Sequence, residues 1–175
     1  FAANSLIDPT IYLWTHNTPI SGGDEGDFIS SDYATYNYTG GVGTGSNINN
    51  PAKIPTKNIG SGQGFFVRTV NSGLIQFNNQ RRMVDANDQF FKSGNPKEKP
   101  NTEEKDRVWL KLISDKGGYN QLLIGFMEKA TDGVDSGYDA LKKVGANPLG
   151  FYSVIDDKKY VIQGMGTFSE DKTVN

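Results

Sequence analysis

The chain contains no cysteine and only one histidine, His16, in its 175 residues. Without cysteine it has no disulfide framework, no thiol nucleophile and no zinc site built from thiolates. A single imidazole excludes sites that need two histidine ligands, and any Ser-His-Asp arrangement would depend on His16. The sequence places no nucleophile beside His16, so a hydrogen bond from its ring to nearby backbone is the simpler interpretation.

Long apolar runs and an excess of one charge are also missing. No stretch approaches the roughly 20 apolar residues of a membrane-spanning helix, so we expect no transmembrane segment. The formal net charge is −2, and bulk charge therefore does not favour binding to a phosphate backbone. We expect no nucleic-acid partner.

Glycine and aromatic residues are abundant, with 21 glycines and 11% aromatics. Together with Asn and Thr they are typical of short strands joined by tight turns. A chain of this size buries roughly 70% of the surface that its unfolded state exposes. We therefore expect one domain over residues 1–175.

Alternating apolar and polar residues between turn signals predict short strands along most of the chain. One strand covers residues 10–16. Three hairpins are expected, joining residues 65–70 to 74–80, 107–113 to 119–128, and 151–155 to 160–166. Since no long amphipathic pattern interrupts them, the fold class is all-β: an antiparallel β-sandwich, jelly-roll-like, with long loops rich in Gly, Asn and Tyr.

The same alternation predicts the core. Within residues 107–113, Val108, Leu110 and Leu112 share one face, and we expect this face to be buried between the sheets. The other core residues predicted from the strand pattern are Phe65, Val67, Leu123 and Phe151.

Two segments have the composition of loops. Residues 21–50 are rich in Gly, Ser, Asn and Asp and contain three tyrosines, and loops of this length are usually functional or carry short structure of their own. Residues 93–106, SGNPKEKPNTEEKD, carry two prolines, mixed charge and no large apolar side chain. This composition predicts an exposed charged loop, with a domain boundary as the alternative.

Motifs for catalysis or nucleotide binding are weak. The run GGVGTG at residues 40–45 lacks the following Lys and helix of a phosphate-binding loop, so we interpret it as a flexible turn. A glycosidase needs two carboxylates held rigidly across a cleft, whereas most of the glutamates lie in the charged loop or near strand ends. We therefore expect that the protein is not an enzyme.

The segment TDGVDSGYDA contains Asp132, Asp135 and Asp139 at spacings of three and four. Such an oxygen-rich, Gly-containing loop could coordinate Ca²⁺, which takes about six to eight oxygen ligands. Aspartates also stabilise turns by accepting hydrogen bonds from nearby backbone. A Ca²⁺ site and three separate turn formers both stay open, and no other cofactor is expected.

Aromatic side chains outside the core could stack on sugar rings. The candidate ligand-binding residues are Tyr33, Tyr36, Tyr38 and Trp14. An aromatic residue in a sheet more often fills the core or pairs across strands, but a loop has less core to fill. The three tyrosines of residues 21–50 are therefore the stronger candidates.

Several segments occur together in a recognisable order: TIYLWTHNTP, SDYATYNYTGG, SGQGFFV, NNQRRM with DQFF, DRVWLKL, QLLIGFMEKATDGVDSGYDA, and FYSV with YVIQG. From residue 10 to residue 166 the chain resembles the large surface proteins of Bacteroidetes, in the region just before the C-terminal type IX secretion sorting domain. In that family a Gly-Asn-Pro-Tyr-Pro segment usually lies upstream and further strands lie downstream. Because neither is in this chain, we expect a fragment of a larger exported protein.

The resemblance implies secretion, attachment to the cell surface at the outer membrane, and contact with the proteins of the type IX secretion machinery. Members are adhesins, gliding-associated proteins and accessory parts of polysaccharide-degrading enzymes, and no catalytic residue is carried over. The expected function is a non-catalytic cell-surface module for adhesion or gliding. The alternative is a carbohydrate-binding module of a secreted polysaccharide-active enzyme, with surface polysaccharide as its partner.

Overall fold

The structure is a computed structural model that describes residues 4–15, 17, 29–45, 54–84, 106–115, 118–143, 145, 149–168 and 171–175. His16 and residues 93–105 of the predicted charged loop lie outside these ranges. Within them, no helix has the length and apolar character needed to cross a membrane.

The described residues form nine strands and two short 3₁₀ turns, at Ser30–Asp32 and Asn79–Arg81. The strands are β1 (Ile7–Trp14), β2 (Tyr33–Tyr36), β3 (Gly41–Val42), β4 (Phe66–Thr69), β5 (Arg107–Ile113), β6 (Tyr119–Phe126), β7 (Ala140–Leu141), β8 (Ser153–Ile155) and β9 (Lys158–Met165).

The strands form two sheets. The first has the order β3-β2-β1-β4, and the second has the order β5-β6-β9-β7 with β8 paired to β9. All pairings are antiparallel except that between β6 and β9, in which Leu123 lies opposite Ile162. The predicted all-β sandwich is confirmed. Each sheet takes its described strands from one half of the chain. The jelly-roll part of the prediction therefore holds only for the presence of two packed sheets.

The core between the sheets is small and aliphatic. Val42 of the first sheet packs with a cluster from the second, formed by Leu123, Ala140, Val161 and Ile162. Leu123 and Ile162 are completely buried, and burial of each such side chain contributes about 1.5–3 kcal/mol. Two hydrogen bonds join the sheets at the same level, from Tyr12 Oη to the Leu141 carbonyl and from Trp109 Nε1 to the Gly41 carbonyl.

Each sheet has a second apolar cluster on its other face. Because side chains alternate along a strand, Leu122 and Ile124 point away from Leu123, and they pack with Met165. On the first sheet, Ile11, Leu13 and Ala34 form the corresponding cluster. The fold therefore has apolar layers outside the sandwich interface as well as within it.

The core prediction is wrong for β5 and right for Leu123. Val108 and Leu110 are 47% and 43% exposed, while Phe65, Val67, Leu112 and Phe151 are half-buried. Strand β5 is the edge of its sheet. Its inward face carries Trp109, the partner of Leu123, so Val108 and Leu110 lie on the outer face at the margin of the sheet.

The first predicted hairpin is also wrong. Strand β4 forms as expected, but its partner is β1, with Val67 opposite Ile11. The segment that follows β4 is held by the start of the chain instead, because the Asn4 side chain bonds both the N–H and the carbonyl of Gln76, at 2.9 and 3.1 Å. The local Ser-Gly turn signal therefore predicts the wrong partner for β4, because β4 pairs with the distant strand β1 instead.

The other two hairpins are confirmed. Strands β5 and β6 pair along their length, and β8 and β9 are joined by Asp156 and Asp157, both with positive φ, as a tight hairpin turn requires. The predicted loop over residues 21–50 is wrong in part, because Tyr33–Tyr36 and Gly41–Val42 are strands of the first sheet. Each of these strands is only a few residues long and is surrounded by polar turn-forming residues. The sequence pattern therefore does not reveal them.

Candidate functional site

The four candidate aromatic residues do not share one face. Trp14 and Tyr33 are cross-strand partners, and the Tyr33 ring meets the Phe66 ring edge to face at 5.9 Å. Tyr36 points to the opposite face and packs on the cluster of Ile11, Leu13 and Ala34. The structure therefore separates these residues into strand-pair and core positions.

Tyr38 is the most exposed of the candidates, at 42%. It follows β2, and its ring lies 5.8 Å from that of Tyr138 at an angle of 53°. A Cβ on Gly137 would come within 2.8 Å of the Tyr38 ring, so the glycine makes room for this pair. The exposed Tyr38 ring, supported by the half-buried Tyr138 ring, can stack on an apolar or sugar surface.

The turn that follows β2 docks onto the second sheet, and we call it the turn junction (residues 37–40). The Asn37 side chain accepts hydrogen bonds from the backbone N–H groups of Thr39 and Gly40, at 2.9 and 3.3 Å. Thr39 then donates from Oγ1 to the Tyr138 carbonyl at 2.7 Å. A Cβ on Gly125 would lie 2.4 Å from the Thr39 methyl group, so the junction requires glycine in β6.

The three aspartates of the acidic segment each have a different partner. Asp132 forms an ion pair with Lys172 at 2.9 Å. Asp135 accepts from the backbone N–H and hydroxyl of Thr131, and Asp139 accepts from the N–H groups of Asp135 and Gly164.

These contacts match the turn-forming interpretation of the acidic segment. Among the residues that the structure describes, no group of three or more His, Cys, Asp or Glu side chains converges in a metal-binding arrangement. Each carboxylate instead satisfies local backbone or a neighbouring ammonium group, so the Ca²⁺ site stays a prediction with no geometric support.

Asp139 is the most perturbed of these carboxyl groups. It is 5% exposed, and burial raises the pKa of Asp139 to about 6, although its two backbone hydrogen bonds act in the opposite direction. Desolvation disfavours the charged form of a carboxyl group. The group thus links the acidic segment to β9 through Gly164 while lying in surroundings that favour its protonation.

A second group of charged and aromatic side chains lies where β1, β4 and the segment after β7 meet. Asp8, which is 4% exposed, accepts a hydrogen bond from Arg68 at 2.7 Å. The Lys143 ammonium lies 4.3 Å from the centre of the Tyr12 ring in a cation–π contact, while burial lowers the pKa of Lys143. Burial raises the pKa of Tyr12. The group binds β4 to the body of the fold and gives no nucleophile-base pair.

A cavity of about 440 Å³ lies beside the β8–β9 hairpin. Its walls come from the hairpin, the acidic segment and residues 171–175, and its polar lining includes Asp132, Asp156, Gln163 and Asp171. The backbone of Asn175 accepts a hydrogen bond from Val154 N at 2.6 Å, which holds the last residues against β8.

Gln163, Asp156 and Asp171 are not among the site residues that the sequence pattern predicts. The signal for Gln163 was present, since it is an uncharged polar residue inside the apolar run of β9. Asp156 falls between the two strands of the third predicted hairpin, and the structure places it in that turn. Asp156 also lines a cavity that distant parts of the chain form. This role depends on the tertiary fold, so no local pattern predicts it.

A family model matches the chain, whereas no curated protein and no solved structure matches it. The match is to a family model described as Domain of unknown function (DUF8693), and it covers residues 1–175. On this evidence the chain belongs to the DUF8693 family.

Proposed function

We propose that the chain is a non-catalytic module of a secreted cell-surface protein, of the adhesion- or gliding-associated type that type IX secretion exports. The resemblance to Bacteroidetes surface proteins supplies the secretion class and the localisation. The fold supports a binding or scaffolding role, because antiparallel sandwiches present edges and loops to other macromolecules.

The observation that carries this proposal is an exposed apolar surface. From β4 to the end of the described segment, large side chains face solvent: Phe66 at 52%, Leu74 at 87%, Phe77 at 73% and Val84 at 86%. Large apolar side chains that stay exposed along one segment offer a surface for contact with other macromolecules. The buried charged groups, in contrast, are engaged in holding strands and turns together.

The export part is tested in cells that make the full-length protein, with and without a working type IX secretion system. We expect external protease to reach the protein on intact cells and to lose access when secretion is blocked. Surface exposure that is unchanged in the secretion mutant would contradict the proposal.

The adhesion part is tested with substitutions that remove apolar surface but leave the core intact. Leu74→Ser and Val84→Ser change side chains that are almost fully exposed, so we expect unchanged thermal melts and reduced attachment of cells to a hydrophobic support. The matched control is Lys57→Ser, which alters an exposed polar residue. Full attachment by a variant that carries both Leu74→Ser and Val84→Ser would exclude this surface as the adhesive one.

A carbohydrate-binding module is the second candidate, and the exposed Tyr38 ring, which the half-buried Tyr138 ring supports, favours it. A glycan array with the purified chain tests it, with Tyr38→Ala as the binding variant and Tyr36→Phe as a control that keeps the core packing. Binding of a glycan that only Tyr38→Ala abolishes is the expected result. An array without signal, or a signal that Tyr38→Ala does not change, would exclude this candidate.

A further inference from the structure

Strand β5 is an edge of the second sheet, and no described strand pairs with its outer side. Most of its seven residues are exposed, including Val108, Leu110 and Ile113 at 47%, 43% and 40%. A long edge of this kind presents backbone N–H and C=O groups that can pair with another strand. Which strand it accepts depends on the backbone groups that point outward.

Hydrogen bonds at both ends of β5 show which of its residues bond β6. Phe126 N donates to the Asp106 carbonyl at 2.7 Å, and Ser114 N donates to the Gly118 carbonyl at 2.8 Å. In an antiparallel pair, residues that exchange hydrogen bonds with the partner alternate with residues that do not. The even-numbered residues of β5 therefore bond β6, whereas the N–H and carbonyl groups of the odd-numbered residues point outward.

A second copy of β5 can pair with this edge in antiparallel orientation about a two-fold axis. The outward backbone groups of both copies must then face one another, so odd-numbered residues lie opposite odd-numbered residues. The register with the greatest overlap places the axis at Leu110, the middle residue of Arg107–Ile113. In this register Trp109 of each copy lies opposite Lys111 of the other, and the two copies of Leu110 meet.

Charge favours this register over its neighbours. A shift of two residues in one direction places Arg107 opposite Lys111, and a shift in the other direction places the two copies of Lys111 opposite each other. Like charges directly opposite destabilise a strand pair. In the central register each Lys111 meets Trp109 instead, which allows a cation–π contact. A charge on an edge strand normally discourages pairing, and here Lys111 disfavours the wrong registers only.

The same register continues the apolar layer on the outer face of the second sheet. Leu110 lies opposite Leu122 of β6, and Leu122 belongs to the buried cluster of that face. Pairing about Leu110 therefore forms a row of four leucines, Leu110 and Leu122 of each copy. On the same face Val108 of one copy lies opposite Leu112 of the other, so pairing also covers apolar surface that the single chain exposes.

We propose that β5 is a homodimer interface, at which two copies of this chain join their second sheets edge to edge about a two-fold axis at Leu110. The occupant is a second copy because the strand is complementary to itself, in charge and in apolar pattern, in the register that its outward backbone groups allow. The proposal does not rest on the function proposed above, since β4 and β5 belong to different sheets.

Sedimentation equilibrium of the purified chain tests for association. We expect the average mass to rise from that of one chain to that of two between about 1 and 100 μM, because one strand pair is a small interface. The mass should rise no further, since pairing occupies the β5 edge of both copies.

The variant that tests the axis is Leu110→Lys. It removes the leucine contact and places two ammonium groups opposite each other, so we expect the dissociation constant of the dimer to increase about tenfold or more. The matched control is Val134→Lys, which changes an apolar side chain of similar exposure, 48%, outside the strands. We expect this control to dimerise like the unaltered chain.

A mixture of two variants tests the register. Leu110→Lys and Leu110→Glu should each dimerise poorly alone, whereas an equimolar mixture places an ammonium group opposite a carboxylate and should regain association. A mixture that associates no better than either variant alone overturns the register and with it the proposal.

Amide hydrogen exchange tests the backbone pairing itself. In the dimer the outward amides of Trp109, Lys111 and Ile113 should be protected, and they should exchange faster on dilution and in Leu110→Lys. The amides of Val108 and Leu112, which bond β6, should stay protected in both cases and so show that the chain remains folded. The effect of dilution on the unaltered chain keeps the test valid if Leu110→Lys does not fold.

Three further outcomes overturn the proposal: a chain that stays monomeric over the whole range, a dimer that Leu110→Lys leaves intact, or association that leaves the three outward amides unprotected. Protection of these amides in a monomer does so as well, because another partner then occupies the edge.

Discussion

The turn junction and the segment after β4 are both held by an asparagine side chain, yet one is buried and the other is exposed. Asn37 is completely buried and bonds the backbone two and three residues ahead of it. Asn4 bonds Gln76, which is 72 residues away. Around Asn37 the second sheet closes over the turn, whereas residues 76–84 around the Asn4 partner are exposed.

This difference shows how one side-chain type stabilises two kinds of structure. At the junction the asparagine shapes a local turn, and Thr39 then packs against Gly125 and bonds the Tyr138 carbonyl. In the segment after β4, the asparagine replaces a strand partner, and little apolar burial supports it. We therefore expect substitutions around the junction to unfold the protein, and those around Asn4 to release one segment.

The largest expected effect is in the core beneath the junction. Leu123 is completely buried, so Leu123→Ala should lower the free energy of unfolding by about 2–5 kcal/mol. Leu110→Ala, on the edge strand of the same sheet, should cost about 1 kcal/mol or less, because Leu110 is already exposed in the native state. Urea unfolding of both variants measures the difference. Equal losses would mean that β5 is covered as deeply as β6.

The next effect concerns the close approach at the junction. Gly125→Ala places a methyl group 2.4 Å from the Thr39 methyl group, and overpacking of this kind costs about 1–3 kcal/mol. Gly64→Ala is the matched control, because a Cβ there meets no atom within 4 Å.

The cause of the Gly125→Ala effect can be isolated with a second change. Thr39→Ser removes the methyl group but keeps the hydroxyl that bonds Tyr138, so it should restore part of the stability that Gly125→Ala loses. Purely additive losses in the double variant would show that the contact between residues 39 and 125 is not the cause.

The sequence predicted the sandwich and two of the hairpins because local alternation and turn residues determine them. The pairs β5–β6 and β8–β9 are close in sequence, and the Asp-Asp turn between the latter adopts the conformation that a two-residue hairpin needs. The pairing of β1 with β4 and the parallel pairing of β6 with β9 are long-range. No local sequence pattern determines which distant strand becomes the pairing partner.

Less of the candidate site than of the fold can be predicted from the sequence. The sequence pattern leaves Ca²⁺ ligands and turn formers both open for the aspartates, and partners such as Lys172 for Asp132 come from distant segments. Tyr33 and Tyr36 have the sequence signature of loop residues because the strand that holds them is short and surrounded by Gly, Ser and Asn. Gln163 is a candidate only because it lines a cavity that three separate segments enclose.

A smaller effect is expected from Asp139, which fastens the acidic segment beside the junction. Its folded-state pKa of about 6 lies above the ordinary value of 3.8, so the folded protein binds a proton more tightly than the unfolded chain does. This contribution to stability is complete below about pH 4 and is lost as the pH rises through about 6. Urea unfolding of the wild type and of Asp139→Asn at several values from pH 4 to pH 7 measures it. The wild type should lose stability relative to the variant across this window, and parallel curves would contradict the assignment.

The smallest global effect, with a large local one, is expected at Asn4. Asn4→Ala removes both hydrogen bonds to Gln76, and because that segment is exposed we expect a loss of only about 1 kcal/mol in the free energy of unfolding. The local consequence is release of the segment, since Val70 N and Asn71 N are then its remaining backbone bonds to Leu6. Hydrogen exchange should show faster exchange of the Gln76 amide and unchanged exchange in β6, and trypsin should cut sooner after Arg81 or Arg82. Asn71→Ala is the control, since it removes an exposed amide of the same type and leaves these backbone bonds in place. If the Gln76 amide stays protected in Asn4→Ala, the segment is held by contacts other than this side chain, and the contrast with the junction no longer holds.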